Sequence, residues 1–159
     1  MSEHLKVEAP NYTNVNRLIA QTASSLLSSF RYNGVSTQNM QTLQTNLIPY
    51  QRIHFISPAF SALIPENNSY YYSPSVHEIT KEVFSSRNTM VKANPAHGKY
   101  MSCALMYRGD CTLKDVMGAT QDIRKDSTIN FAEWAPTGMK ITANGKLPTV
   151  IPNTEMAKA

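Results

Sequence analysis

Charged residues are scarce in this sequence, at 16% of 159 positions. No stretch holds five or more Lys or Arg. Arg17, Arg31, Lys81, Lys92, Lys99, Lys114 and Lys140 are scattered, so the formal charge of +4 forms no basic stripe of the kind that binds nucleic acid. Cysteine is nearly absent: Cys103 and Cys111 make neither a disulfide framework nor a zinc motif. Cys103 lies in an apolar run and reads as a buried small hydrophobe. No apolar segment approaches the ~20 residues of a membrane-spanning helix. The opening Met1-Ser2-Glu3-His4 lacks the character of a signal peptide. The sequon Asn67-Asn68-Ser69 matters only in a secreted chain, which nothing here marks. A cytosolic protein contacting neither membrane nor nucleic acid is therefore the expectation. Glycine-rich phosphate loops, nucleophile elbows and metal-ligand clusters are also missing.

What is present is globular: 42% apolar residues and a length suited to one compact domain. The polar residues up to Pro10 read as an extended leader. From Tyr12, the residues Val15, Leu18, Ile19, Ala23, Leu26, Leu27 and Phe30 recur at helical spacing to about Arg31. Asn11 is placed to cap that helix and Asn33-Gly34 to stop it. A short helix follows with Met40, Leu43 and Leu47, ending before Pro49. Arg52 to Phe60 reads as a strand with Ile53 and Phe55 on one face. Ile64 to Pro74, with three consecutive tyrosines, reads as a long exposed loop, a length usually tied to function or mobility. Ser75 and Glu78 form a capping-box pair opening a helix with Val76, Ile79 and Val83 inward. Tyr100 to Tyr107 is nearly all apolar, which suggests a central strand covered on both faces. Thr112 and Asp115 cap a further helix carrying Leu113, Val116, Met117 and Ile123. Thr128 to Trp134 and Met139 to Ala143 are strand-like. The order implies an α/β domain with a mixed sheet flanked by helices, preceded by one long helix.

Candidate chemistry is sparse. The histidines His4, His54, His77 and His97 are far apart, and none has a Cys or carboxylate at ligand spacing. His54 fits a satisfied core or edge position better than a catalytic one, and His97 fits a turn. The residues alone imply a soluble α/β domain without recognisable catalytic groups.

Several segments together resemble the α-tubulin family. They are Tyr12-Thr13-Asn14-Val15-Asn16-Arg17-Leu18-Ile19, Gln44-Thr45-Asn46-Leu47-Ile48-Pro49-Tyr50 and Arg52-Ile53-His54-Phe55. Further on come His97-Gly98-Lys99-Tyr100-Met101, Tyr107-Arg108-Gly109-Asp110, Trp134-Ala135-Pro136-Thr137-Gly138 and Pro148-Thr149-Val150-Ile151-Pro152. The likeness runs from about Leu5 to Lys158, and Thr149 to Met156 favours α- over β-tubulin. It implies a leader over residues 1–11, a central-helix segment over 12–34 and an incomplete intermediate-domain-like module over 35–159. The GTP-binding half would lie before residue 1; the last sheet strand and the C-terminal helices would lie after Ala159.

The resemblance also implies roles. Tyr12 and Asn16 match positions that contact a guanine base, although both also read simply as the first turns of a helix. Tyr32 to Asn39 and the next helix match the longitudinal face presented to the neighbouring subunit's nucleotide, so Asn39, Thr42, Gln44 and Asn46 are interface candidates. Thr42 stands where the family carries a glutamate that activates water, and Asn39 replaces a nearby acid. A threonine cannot serve as a carboxylate general base, so no enzymatic role is expected. The tyrosine loop matches the lateral-contact loop, making Tyr70, Tyr71 and Tyr72 interface candidates, with Asn68 at an acetylatable lysine position and Tyr71 at a histidine position. A solvated loop with incidental tyrosines is the alternative.

The expected function is a tubulin-like structural module that contacts tubulin or microtubules and has no hydrolytic activity of its own. The alternatives are a fragment of a longer GTP-binding α-tubulin-like subunit, or a regulatory module that kept the fold and lost tubulin contacts. No cofactor is expected for the isolated chain, and GTP if it is part of a longer one. An unpaired sheet edge and a half-covered central helix would make the free chain marginal or self-associating.

Overall fold

A computed structural model describes residues 11–34, 39–61, 63–64, 70–134 and 139–148. The leader, the sequon with Asn68, and the tail from Thr149 lie outside the described residues. Five α-helices and two strands are defined among them. Helix α1 spans Tyr12–Leu26, α2 Ser28–Arg31, α3 Met40–Leu47 and α4 Val76–Val83; strand β1 spans Cys103–Arg108, α5 Leu113–Lys125 and β2 Met139–Asn144.

The centre is the unit β1–α5–β2. The two strands pair in parallel, Cys103 opposite Met139 through Arg108 opposite Asn144, and α5 makes the crossover. Thr112 starts α5 as expected, its hydroxyl accepting from the Asp115 amide. Val116, Ala119, Thr120 and Ile123 recur every three to four residues and face inward. With Leu105, Ala132 and Ala143 they form the main apolar core. Leu113 and Met117, the other apolar residues of this helix, stay exposed.

Helix α4 packs beside α5. Its capping box is complete: the Glu78 amide donates to Ser75 Oγ and the Ser75 amide to Glu78 Oε2. Val76, Ile79 and Val83 are half-buried, and the residue deepest in the contact is Thr80, at 1% exposure. The Thr80 hydroxyl donates its only proton to the Val76 carbonyl, which leaves Tyr107 to donate to Thr80 at 2.8 Å. His77 lies against Gly118 of α5 and donates from Nδ1 to Asp122 at 2.8 Å.

Four expectations need correction. The first helix is not continuous to Arg31. Leu27 departs from helical geometry (ψ −4°), and the four-residue α2 follows. The break turns the Ser28 carbonyl toward buried Asn144, whose side-chain amide donates to it at 3.1 Å. Arg52 to Phe60 is no strand: only single bridges form, Tyr50 with Ile53 and Ala59 with Thr89, and Phe55 is 91% exposed. Thr128 to Trp134 likewise contributes one bridge, Phe131 to Tyr100, because turns at Thr128 and Trp134 interrupt it. The apolar run at Tyr100 becomes a strand only from Cys103, half-buried rather than covered on both faces. The pairing is therefore mixed, a parallel pair with parallel and antiparallel bridges, and the class is α/β as expected.

One glycine is set by a close approach. A Cβ on Gly34 would stand 2.7 Å from the Ala143 carbonyl oxygen, so the chain leaving α2 passes β2 only without a side chain.

Candidate functional site

Three separate surfaces carry the residues singled out by sequence. On α1, the Asn11 side chain accepts from the Asn14 amide, which fixes the first turn. Tyr12 opens the helix at 89% exposure, and Asn16, exposed, follows one turn later on the same side. The pair therefore offers an aromatic ring and a side-chain amide to one ligand face.

The second surface is α3. Leu43 is its buried residue, and the Ser102 hydroxyl donates to the Leu47 carbonyl, tying its C-terminal end to the segment entering β1. Asn39 precedes the first turn and makes no side-chain cap. Asn39, Thr42 and Asn46 follow each other at helical spacing and are exposed; Gln44, also exposed, is turned away from that row. The row presents amides and a hydroxyl, so it donates and accepts hydrogen bonds but has no group that takes a proton from water near neutral pH.

The third is the tyrosine cluster. Tyr70 and Tyr71 are more than nine-tenths exposed and Tyr72 is half-exposed. No described contact joins the three surfaces. Helix α1 meets β1 near its C-terminal end, α3 meets the start of β1, and the tyrosines stand in solvent.

Histidine and cysteine chemistry follows from burial. His54 is exposed, stacks on Phe55 and hydrogen-bonds the Gln51 carbonyl, so it is not a core residue. His97 sits in the short turn Pro95–His97. Burial pushes the Cys103 thiol up to about 11, and burial together with Asp110 and Asp115 raises that of Cys111. Both are poor nucleophiles in this setting. Among the described residues no group of three His, Cys, Asp or Glu could hold a metal, and no helix is long and apolar enough to cross a membrane.

Two features escaped the sequence reading. His77 and Asp122 pair across helices α4 and α5, 45 positions apart, with no local signal. A cleft of about 400 Å³ is lined by Phe84, Pro95, Tyr100 and Ile129, with Lys81 and Asp126 at its rim. The Thr128 amide and hydroxyl both donate to Asp126 and hold its carboxyl below the ordinary carboxylate value.

Residues 51–159 match the family described as Tubulin C-terminal domain. The chain is 46% identical over 154 residues to the Tubulin alpha-2 chain of Eleusine indica, an alignment covering 97% of this chain and 34% of that one. It is 45% identical, with the same coverage, to the Tubulin alpha-3 chain of Zea mays. It thus spans about a third of the length of these relatives. By this match over most of its length, carried on the α/β unit of β1, α5 and β2, the chain belongs to the tubulin family.

Proposed function

We propose that this segment is a structural and assembly module of a tubulin-like cytoskeletal protein. It contacts tubulin, or microtubule protofilaments, through α3 along the protofilament and through Tyr70–Tyr72 sideways, and it acts in the cytoplasm. The observation that carries this reading is the exposure of three adjacent tyrosines beside a helix cap, within a chain of the tubulin family. Exposed aromatics of this kind concentrate at interface hot spots. Thr42 and Asn39 supply contact and no general base, so binding through α3 does not activate water in a neighbour.

The test is co-pelleting with microtubules. The expected result is saturable binding that falls at least tenfold when Tyr70, Tyr71 and Tyr72 are replaced together by Ala. Undiminished binding of that variant would reject the lateral surface, and no pelleting at all would reject the module. Thr42→Glu sharpens the second surface: it is expected to raise GTP hydrolysis by co-assembled tubulin where the native residue does not.

One observation favours a second reading, in which the segment belongs to a longer GTP-binding subunit. Tyr12 and Asn16 share one exposed side of α1 and suit the face and edge of a guanine base. Nucleotide binding that is lost on Tyr12→Ala and Asn16→Ala would establish it. The exposed side chains Val15, Ile19, Leu26 and Leu27 further support self-association of the isolated chain, read out by sedimentation across micromolar concentrations.

A further inference from the structure

The sequence holds two Asn-Gly dipeptides, Asn33-Gly34 and Asn144-Gly145, and the fold sets them side by side. A Cβ on Gly34 would stand 2.7 Å from the Ala143 carbonyl oxygen and 3.3 Å from Asn144 Cα. One dipeptide therefore occurs twice within one small region, in two opposite environments.

An asparagine before glycine is open to internal cyclisation, because no Cβ shields the glycine nitrogen. That nitrogen attacks Cγ of the asparagine side chain. A C–N bond forms, the bond to the side-chain nitrogen breaks, and ammonia leaves with the proton of the glycine amide. Water then opens the five-membered imide at either carbonyl. One opening gives aspartate; the other gives isoaspartate, whose main chain runs through Cβ and Cγ. Nothing is oxidised or reduced, and water is the sole co-reactant.

Burial and hydrogen bonds separate the two pairs. Asn144 closes β2 at 4% exposure. Its side-chain nitrogen donates to the Ser28 and Tyr32 carbonyls at 3.1 and 3.4 Å, and its side-chain oxygen accepts from the Lys146 amide at 2.9 Å. Its main-chain carbonyl accepts from the Gly109 amide at 2.8 Å. Turning Cγ onto the Gly145 nitrogen breaks side-chain bonds in a packed region, where no solvent replaces them. Asn33 and Gly34 are both exposed and lie outside any helix or strand. Neither the Asn33 side chain nor the Gly34 amide makes a hydrogen bond among the described residues. The other exposed asparagines of the described residues, Asn16 and Asn39 among them, precede residues that carry a Cβ.

We propose that Asn33 is a site of spontaneous deamidation in the folded chain, and that the fold protects its chemical twin, Asn144. The change is one-way, so it marks aged chains at the exit of α2. Aspartate there adds a negative charge two residues past Arg31. Isoaspartate also adds one atom, ~1.5 Å of bond length, to the main chain. The extra atom enters just before Gly34, where the chain lacks room for even a Cβ against β2. The β-linked product therefore loosens the bond from Asn144 to the Tyr32 carbonyl.

The test is incubation of the full chain in mildly alkaline buffer, native and in urea, followed by peptide mapping with mass spectrometry. Circular dichroism confirms that the native sample is folded. Asn33 is expected to convert at least about tenfold faster than Asn144 in the native chain. In urea, where only the shared dipeptide counts, the two rates are expected to agree within about twofold. Equal native rates, faster conversion of Asn144, or an Asn33 that converts only in urea would each overturn the proposal. The isoaspartyl chain, separated from an aged sample by ion exchange, is expected to unfold at lower urea than the parent. Asn33→Asp, which has the charge without the added atom, is expected to unfold with the parent. Equal midpoints for the isoaspartyl chain and the parent, or an equally early midpoint for Asn33→Asp, would overturn the role of the lengthened chain.

Discussion

Helices α1 and α5 have comparable amphipathic patterns and very different fates. The 13 residues of α5 bury four side chains, among them Val116 at no measurable exposure. The 15 residues of α1 bury none, and Val15 and Ile19 of its apolar stripe remain exposed. The difference is the partner. Helix α4 packs along α5, and the inward residues of α5 are buried, as are Leu105 and Ala143 of the strands it connects. Helix α1 reaches the sheet mainly near its end, through polar contacts from Ser24 and, beyond the break, Ser29, which donates to Met106 sulfur at 3.5 Å. A helical stripe in sequence states that a face can be covered. It does not state that these residues cover it.

The sharpest way to break the comparison is to shorten one isoleucine on each helix. Ile123→Ala removes a side chain that is 3% exposed and opens a cavity between α5 and the strands. The expected loss is about 3 kcal/mol in urea unfolding. Ile19→Ala removes a side chain that is 56% exposed, with an expected change within about 0.5 kcal/mol. Equal losses would mean that the α1 stripe is covered in solution, as self-association would do.

The same core makes a pH prediction. Burial raises the Cys103 thiol from its ordinary value of 9 to about 11, so folding favours the neutral thiol. Its contribution is fully present below pH 9 and is withdrawn as pH climbs toward 11, on the order of 2 kcal/mol in all. Cys103→Ala should flatten the fall in stability over that window, whatever it does at neutral pH. Tyr100 and Tyr107, also raised mainly by burial, keep part of the slope. An unchanged slope in the variant would place the thiol outside the core.

What was legible in the sequence was local. The caps at Asn11, Ser75 and Thr112 are hydrogen bonds over three residues, and each appears in the structure. The strand Met139–Asn144 and the helix Met40–Leu47 follow from short-range pattern in the same way. The false strand at Arg52 to Phe60 shows the limit. Alternating Ile53 and Phe55 satisfy a two-residue period, but with no partner strand beside them they stand in solvent. The break at Leu27 was hidden for a similar reason, since it answers to Asn144, more than a hundred positions away. As for the site, exposure of Tyr70–Tyr72 and of the α3 row was readable from polarity and loop length. The contacts that join Tyr32, Asn144 and Lys146 were not, because Asn144 reaches Tyr32 across more than a hundred positions.

A finer test probes polarity inside the core. Thr142, on β2, is 2% exposed, and its hydroxyl has no hydrogen-bond partner among the described residues. Thr142→Val keeps the shape and removes the stranded hydroxyl, so the chain is expected to gain about 1 kcal/mol. A loss of similar size would reveal a bound water serving that oxygen.

The smallest effect concerns the pair that spans α4 and α5. His77 and Asp122 are 2.8 Å apart, yet their side chains are 49% and 63% exposed, so water competes for both. A double-mutant cycle with His77→Ala and Asp122→Ala should return a coupling below about 1 kcal/mol. His77→Ala alone should cost more than Asp122→Ala alone, because the imidazole ring also lies 3.3 Å from where a Cβ on Gly118 would stand. That ring fills the space which the glycine leaves open. If the two single changes cost the same, the contact between the helices rests on the charge and not on the ring. The Thr80–Tyr107 bond at 2.8 Å is a second polar link from α4 to the β1–α5–β2 unit.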